Sequence, residues 1–306
     1  MRKTTPALTG LLAVAIVLLQ ITPGAAPSYS PWSEPVSLGN VVNSPYDDAL
    51  AALSKDSLSL YFTSNRPVAD GGVGGYDIWV SQRPSTDAPW GVPVCLDLPI
   101  NTTANEAGPA LSRDGHWMFL HRGTERGDWD LMVSWRRNTH DDFGWEEPSN
   151  LGANINTQYN DAGATFFEGT DGSPAELYFG SQRLGGWDIY VSQLGSDGTF
   201  GPAQLVPELS STGSDQRPSI RFDGLEIYFT STRPGVGGSD IWVSTRPSVY
   251  EPWTTPVNVA ELNTTFGDAQ ATLSSKGDVL IFNSSRPGVT GMTDLFVTTR
   301  QKAGHR

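Results

Sequence analysis

Residues 74–83 read GGYDIWVSQR, and residues 237–246 read GGSDIWVSTR. One chain therefore writes the same local solution at least twice, and the Asp of DIWVS locates the other copies. It stands at Asp77, at Asp130 in DLMVS, at Asp188 in DIYVS, at Asp240 in DIWVS and at Asp294 in DLFVT. A second marker lies upstream, an Asn followed five residues later by an acid: Asn43 and Asp48, Asn101 and Glu106, Asn156 and Asp161, Asn263 and Asp268, with Ser210 and Asp215 as the imperfect copy. Those acids are 58, 55, 54 and 53 residues apart. A third marker is an aromatic two or three residues before Pro, in WSEP, WGVP, WEEP, FGP and WTTP. Three markers on one period define five repeats, starting near residues 43, 101, 156, 210 and 263.

Within a repeat, short alternating or continuous apolar runs are broken by turn residues, and no helical period appears. In the first repeat the spacing predicts strands over 49–54, 59–64, 77–82 and 92–98. Four antiparallel strands per period of about 54 residues are the pattern of a β-propeller blade. The runs ALAALS, AGPALS, AGATFF, QRPSIR and AQATLS are predicted innermost, where a narrow axis admits small side chains. The last repeat stops after its third strand, whereas WSEPVSLG at 32–39 repeats the outer-strand phrase ahead of the first. Residues 32–38 are therefore expected to complete the last blade, closing an all-β, five-bladed propeller and covering a sheet edge.

LSRDG at 111–115, LYFTSNR at 60–66, IYFTSTR at 227–233 and the two DIWVS phrases resemble the WD40-like β-propeller repeat family, which includes the C-terminal domain of TolB. The resemblance spans nearly all of residues 32–300. It implies a propeller and a periplasmic, protein-binding role. The chain departs from TolB in having five copies rather than six and no N-terminal α/β domain.

Composition narrows the partners. With 33 acidic against 20 basic residues the formal net charge is −13, which disfavours nucleic acid and anionic membranes. Residues 1–26 read as an export leader, with Arg2 and Lys3, an apolar run and then small residues, so 27–306 is expected to be a periplasmic or secreted monomeric propeller with no membrane span beyond the leader. Cys95 is the single cysteine, which leaves no internal disulfide framework.

Residues recurring in every copy are expected to be structural. These are Asp48, Glu106, Asp161, Asp215 and Asp268 opposite Arg66, Arg183, Arg233 and Arg286, and the DIWVS acids Asp77, Asp130, Asp188, Asp240 and Asp294. The repeated Asn residues are expected to make turns through their side chains. The sequons at Asn101, Asn263 and Asn283 are read as incidental.

Function is sought where copies disagree. The residue before the DIWVS acid is aromatic in three blades, Tyr76, Trp129 and Trp187, and Ser239 or Thr293 in the others. Aromatic plates beside carboxylates suit a sugar. The second copy breaks the Ser-x-Arg rule and offers His121, Arg122 and Arg126, while the fourth carries Gln216 and Arg217 where others have small residues. These eight are the candidate ligand contacts.

No nucleophile elbow, zincin motif or phosphate loop is present, and the histidines lack metal-ligand spacing, so neither metal nor cofactor is expected. Five near-identical acids do not supply the unlike pair that glycoside hydrolysis needs. The reading is thus a non-catalytic exported scaffold recognising a protein or glycan on its loop-bearing face. The alternatives are a glycoside hydrolase or lyase on that face, and a purely structural envelope component.

Overall fold

The computed structural model describes residues 29–170 and 172–303, so the leader assigned to 1–26 lies outside the described residues. Five four-stranded antiparallel sheets form a ring. Blade 1 comprises β2 (Asp48–Leu53), β3 (Ser59–Ser64), β4 (Asp77–Gln82) and β5 (Val94–Cys95). Blade 2 comprises β6 (Glu106–Leu111), β7 (Trp117–Gly123), β8 (Trp129–Trp135) and β9 (Ser149–Asn150). Blade 3 comprises β10 (Asp161–Phe167), β11 (Glu176–Ser181), β12 (Asp188–Gln193) and β13 (Gln204–Leu205). Blade 4 comprises β14 (Asp215–Ile220), β15 (Glu226–Ser231), β16 (Asp240–Thr245) and β17 (Val257–Asn258). Blade 5 comprises β18 (Asp268–Leu273), β19 (Val279–Ser284) and β20 (Asp294–Thr299), completed by β1 (Val36–Ser37) from the other end of the chain. The closing register pairs Val36 with Val297 and Ser37 with Phe296. The only helical turn among the described residues is the 3-10 segment Val68–Asp70.

Outer strands are two residues long, shorter than the sequence reading of 92–98 suggested. Pro35, Pro93, Pro148 and Pro256 directly precede four of them, and Pro202 lies two residues before the fifth. A residue without an N–H cannot donate to the ladder, so pairing begins only after it.

The apolar core is not central. Five clusters each belong to two neighbouring blades: Tyr61 and Ile78 of blade 1 pack with Met118 and Leu120 of blade 2, and Phe62 and Trp79 of blade 1 pack with Ile281 and Leu295 of blade 5. Trp79, Tyr190 and Phe296 of the DIWVS-type phrases are buried in these seams. Burying one such ring stabilises by about 1.5–3 kcal/mol, so the phrase that reveals the fold is the one that glues its blades.

Each innermost strand carries a bulge at the same place. The bulged residue has a left-handed backbone in every blade: Leu50 (φ 53), Gly108 (φ 63), Gly163 (φ 64), Arg217 (φ 57) and Gln270 (φ 59). These five equivalents line the axial channel.

Candidate functional site

The repeated acids are committed to the scaffold. In every blade the acid at the start of the inner strand is fully buried and ion-paired to an arginine: Arg66–Asp48 at 2.9 Å, Arg122–Glu106 at 2.8 Å, Arg183–Asp161 at 2.8 Å, Arg233–Asp215 at 2.7 Å and Arg286–Asp268 at 2.6 Å. A hydroxyl four residues upstream donates to each acid, as Thr157 Oγ1 does to Asp161 at 2.8 Å. Arg183 also donates to Ile155 O at 2.6 Å and stacks 4.4 Å over Tyr190, so one guanidinium ties loop, acid and blade face together. Arg122, read from sequence as a ligand contact, occupies this arginine's place in blade 2 and donates to Ile100 O at 3.0 Å. It stands on β7 directly opposite Glu106, two residues before the place that Arg66 takes relative to Asp48, which is why the Ser-x-Arg pattern did not reveal it.

The repeated Asn residues do not form turns, contrary to the sequence reading. Asn101 accepts from Ile78 N at 2.9 Å and donates to Ile78 O at 2.8 Å; Asn43 with Leu295, Asn156 with Leu131 and Asn263 with Ile241 repeat the arrangement. A side-chain amide thus imitates one step of a strand against the preceding blade. Both ends of these buried amides are engaged.

Three of the DIWVS acids fasten the loop before them through its backbone amides: Asp77 accepts from Val73 N at 2.7 Å and Gly74 N at 3.1 Å, Asp240 from Gly237 N at 2.9 Å and Asp294 from Thr290 N at 3.0 Å. In blades 1, 3, 4 and 5 the residue just before the acid stitches blades by its carbonyl. Glu106 N donates to Tyr76 O at 2.7 Å, and Asp215 N to Trp187 O at 2.8 Å. The backbone does the structural work there, which leaves the side chain free to differ between copies.

Those variable side chains fall into separate groups. Trp129 meets His121 edge to face, with centroids 4.8 Å apart, and His121 contacts Arg217 Nη1 at 3.2 Å through Nε2. Gly108 makes this possible, since a Cβ there would overlap the His121 ring, and a Cβ at Gly163 would overlap Arg217 Cδ. Trp187 and Gln216 flank Gly180: a Cβ added there would lie 3.2 Å from Trp187 Cε3 and 3.4 Å from Gln216 Cβ. Because Gln216 and Arg217 are adjacent, the two groups adjoin. Tyr76 stands apart and donates to Asp47 Oδ2 at 3.0 Å. Arg126 is exposed, bonded to Asp128 at 2.9 Å and to Asp130 at 3.4 Å. The three aromatics are half-buried rather than fully displayed.

Asp47 was not singled out from the sequence. It precedes the repeated acid, where other copies have Asn105, Asn160, Ser214 and Gly267, so the search for disagreement between copies applies to it equally. Its Oδ1 is buried without a partner among the described residues.

Electrostatically the acids outside the ring are unlike one another. Burial, reinforced by the Asp215 charge, holds Asp188 above the usual carboxylate range against a hydrogen bond from Ser210. Burial likewise raises Asp130, opposed by Asn150 and Arg126. Burial and then the Arg217 charge push His121 well below its ordinary value, so the ring is neutral. Arg217, crowded by protein yet still reached by channel solvent, is lowered by burial to about 10 and remains a cation at neutral pH. Among the described residues, no group of three or more His, Cys, Asp or Glu side chains is placed to hold a metal ion, and no helix is long and apolar enough to cross a membrane.

No protein-family model and no curated protein matches the chain. Solved structures do share its fold. A thermostable family-43 glycoside hydrolase is 13% identical, with a TM-score of 0.61 over 87% of this chain and 93% of that one. The catalytic domain of a GH62 α-L-arabinofuranosidase from Coprinopsis cinerea is 14% identical, with a TM-score of 0.59 over 92% and 100%. A putative TolB from Agrobacterium tumefaciens is 19% identical over 86% and 80%, with a TM-score of 0.46. At these identities the likeness establishes the five-bladed propeller itself.

The expectation of a non-catalytic, TolB-like binding scaffold is corrected here. The two neighbours with the higher TM-scores are glycoside hydrolases matched over nearly their whole length, whereas the TolB likeness is too loose to carry an argument. The local motif resemblance reflected blade construction, which unrelated functions share.

Proposed function

We propose that this protein is a carbohydrate-active propeller that cleaves glycosidic bonds at its loop-bearing face. What supports the reading is the presence, outside the ion-pair ring, of carboxylates in unlike environments. Asp188 directly follows the half-buried Trp187 and is held toward its protonated form by burial. Asp47 bonds to Tyr76 and, among the described residues, has no arginine partner. Glycoside hydrolysis asks for one carboxyl that gives a proton to the leaving oxygen and one carboxylate that serves as base or nucleophile. Asp188 is assigned the first role, with Trp187 beside it and Trp129 in the adjoining group as plates for sugar faces; Asp47, which lies with Tyr76 apart from them, is tested alongside it as a carboxylate free to take the second. That the ring acids are spent on scaffold explains why the five-fold pattern did not point to a catalytic pair. A leader such as that read at residues 1–26 would deliver the protein to a compartment where polymeric glycans occur.

The experiment is release of reducing sugar from a panel of arabinan, arabinoxylan and other plant and bacterial polysaccharides, comparing the full chain with Asp47→Asn and Asp188→Asn. Proton transfer by a positioned carboxyl is worth about 10²–10⁴-fold, so each variant should fall at least a hundredfold with its melting temperature retained. No release from any polymer, or release unaltered by both substitutions, overturns the reading.

A further inference from the structure

The axial channel has a charge opposite to that of the protein. It is a cavity of about 130 Å³ bounded by the inner strands and opening on the face that bears the turns between first and second strands. Among the described residues the charged side chains lining it are Lys55, Arg113 and Arg217, with no carboxylate, in a chain of net charge −13. Lys55 and Arg113 are exposed, on the turns of blades 1 and 2, and Arg113 lies 5.0 Å over the Phe222 ring. Arg217 lies deeper, on the bulge of β14.

Arg217 differs from the molecule's buried arginines. Arg66, Arg136, Arg221, Arg246 and Arg300 each have a carboxylate within 3.9 Å. Among the described residues the polar contacts of Arg217 are both to the neutral imidazole of His121, and its Nε is buried without a partner. A guanidinium withdrawn from bulk water without a counter-charge is costly, and the fold nevertheless builds room for it with glycines at 108 and 163. Gln270, the equivalent residue of blade 5, also lines the channel and has a buried side-chain oxygen without a partner among the described residues. Turned over, that amide offers an N–H beside the same axis.

We propose that the channel is an oxyanion site, entered from the turn-bearing face, in which Arg217 supplies the missing half of an ion pair to a single carboxylate, sulfate or phosphate group and Lys55 and Arg113 draw the anion in. Guanidinium geometry suits two-point contact with such groups, and the volume admits one group of that size or one small ring. The site faces away from the loop-bearing mouth and does not depend on the glycosidase reading.

Calorimetric titration of the full chain at constant ionic strength tests this, using sulfate, phosphate, galacturonate and, as the uncharged control, galactose. Saturable binding of at least one anion and none of galactose is expected. Sulfate or phosphate binding identifies a free inorganic oxyanion as the natural class, and galacturonate binding alone identifies a sugar acid. Arg217→Gln should weaken binding at least tenfold. Should that variant not fold, Lys55→Ser with Arg113→Ser, on exposed turns, should weaken it at least threefold and flatten its salt dependence. Binding of no anion, or binding unchanged in the variants that fold, overturns the proposal.

Discussion

The guanidinium of Arg300, at the end of the last blade, lies 4.4 Å over the indole of Trp32, near the beginning of the first described segment. Trp32 Nε1 donates to Tyr228 OH at 3.2 Å, and Arg300 Nη2 reaches Glu226 at 2.6 Å. Both residues are thus locked onto blade 4, one seam away from the strand pair that closes the ring. Arg136 over Trp145 with Asp142, and Arg246 over Trp253, repeat the device elsewhere. Trp32→Ala is expected to destabilise by roughly 3–5 kcal/mol, as for other buried aromatic truncations. Arg300→Met should cost a comparable amount by leaving Glu226 under-compensated. Deleting 29–38 removes the device together with the closing strand and should yield a lower melting temperature and self-association through the bared edge of β20. A deletion variant that remains monomeric with unaltered urea unfolding would contradict this account of closure.

The Asn bridges make a prediction in both directions. Asn101→Ala strips two hydrogen bonds from buried backbone groups of Ile78, and unsatisfied buried groups cost about 1–3 kcal/mol each. Blade 4 starts from Ser210, whose hydroxyl bonds to Val206 O and to the Asp188 carboxylate but is too short to bridge the backbone of blade 3 at two points as the Asn residues do. Ser210→Asn should restore the missing bridge between blades 3 and 4 and stabilise by about 0.5–1.5 kcal/mol. Chemical denaturation of both variants measures this; a destabilised Ser210→Asn would mean that the loop over 206–215 cannot place an Asn as the others do.

What the sequence reveals and what it hides follow from the repeat itself. Five equivalent positions amplify any demand common to all blades, so the apolar seams, the Asp–Arg pairs and the closing phrase at 32–39 are visible before any coordinates. Details of pairing are less visible. Pro109 and Pro218 stand inside inner strands, where a regular ladder would exclude them, and they are the trace of the bulges that turn residues 108 and 217 into the channel. Without the bulge, Arg217 reads as a loop-face contact; with it, the side chain lines the axis. His121 and Trp129 come from different strands of one blade and Arg217 from two blades away, so no spacing along the chain announces their meeting. The function is least visible of all, because the residues assigned to it break the pattern that makes the rest legible.

His121 links stability to pH. Its ring is buried and held neutral in the folded protein, whereas in the unfolded chain it titrates near 6.5. Below that value the unfolded state takes up a proton that the folded state refuses, so this residue's contribution to stability is intact above about pH 6.5 and declines as pH falls toward the depressed folded value. The limiting slope is about 1.4 kcal/mol per pH unit. His121→Gln removes that proton uptake and should flatten the decline between about pH 6.5 and 5 relative to the native chain. Parallel pH–stability curves for the two proteins would show that the imidazole charges freely in the folded state.

Gly163 allows the packing at the axis to be dissected. A side chain there meets two penalties. The φ of 64° costs an L-residue about 1–2 kcal/mol, and the new Cβ would coincide with the space taken by Arg217 Cδ. Gly163→Ala should therefore lose more than the backbone penalty alone. In Arg217→Ala the overlap is gone, so adding Gly163→Ala to that background should cost only the backbone part. The difference between the two costs is the coupling read by a double-mutant cycle, and a positive coupling of about 1 kcal/mol or more is expected from contacts this close. Leu50, at the equivalent position of blade 1, already tolerates a left-handed backbone with a bulky side chain, so the bulge conformation itself does not forbid a Cβ. An additive cycle would mean that Arg217 moves aside at no cost, and the channel would then not be organised around its guanidinium.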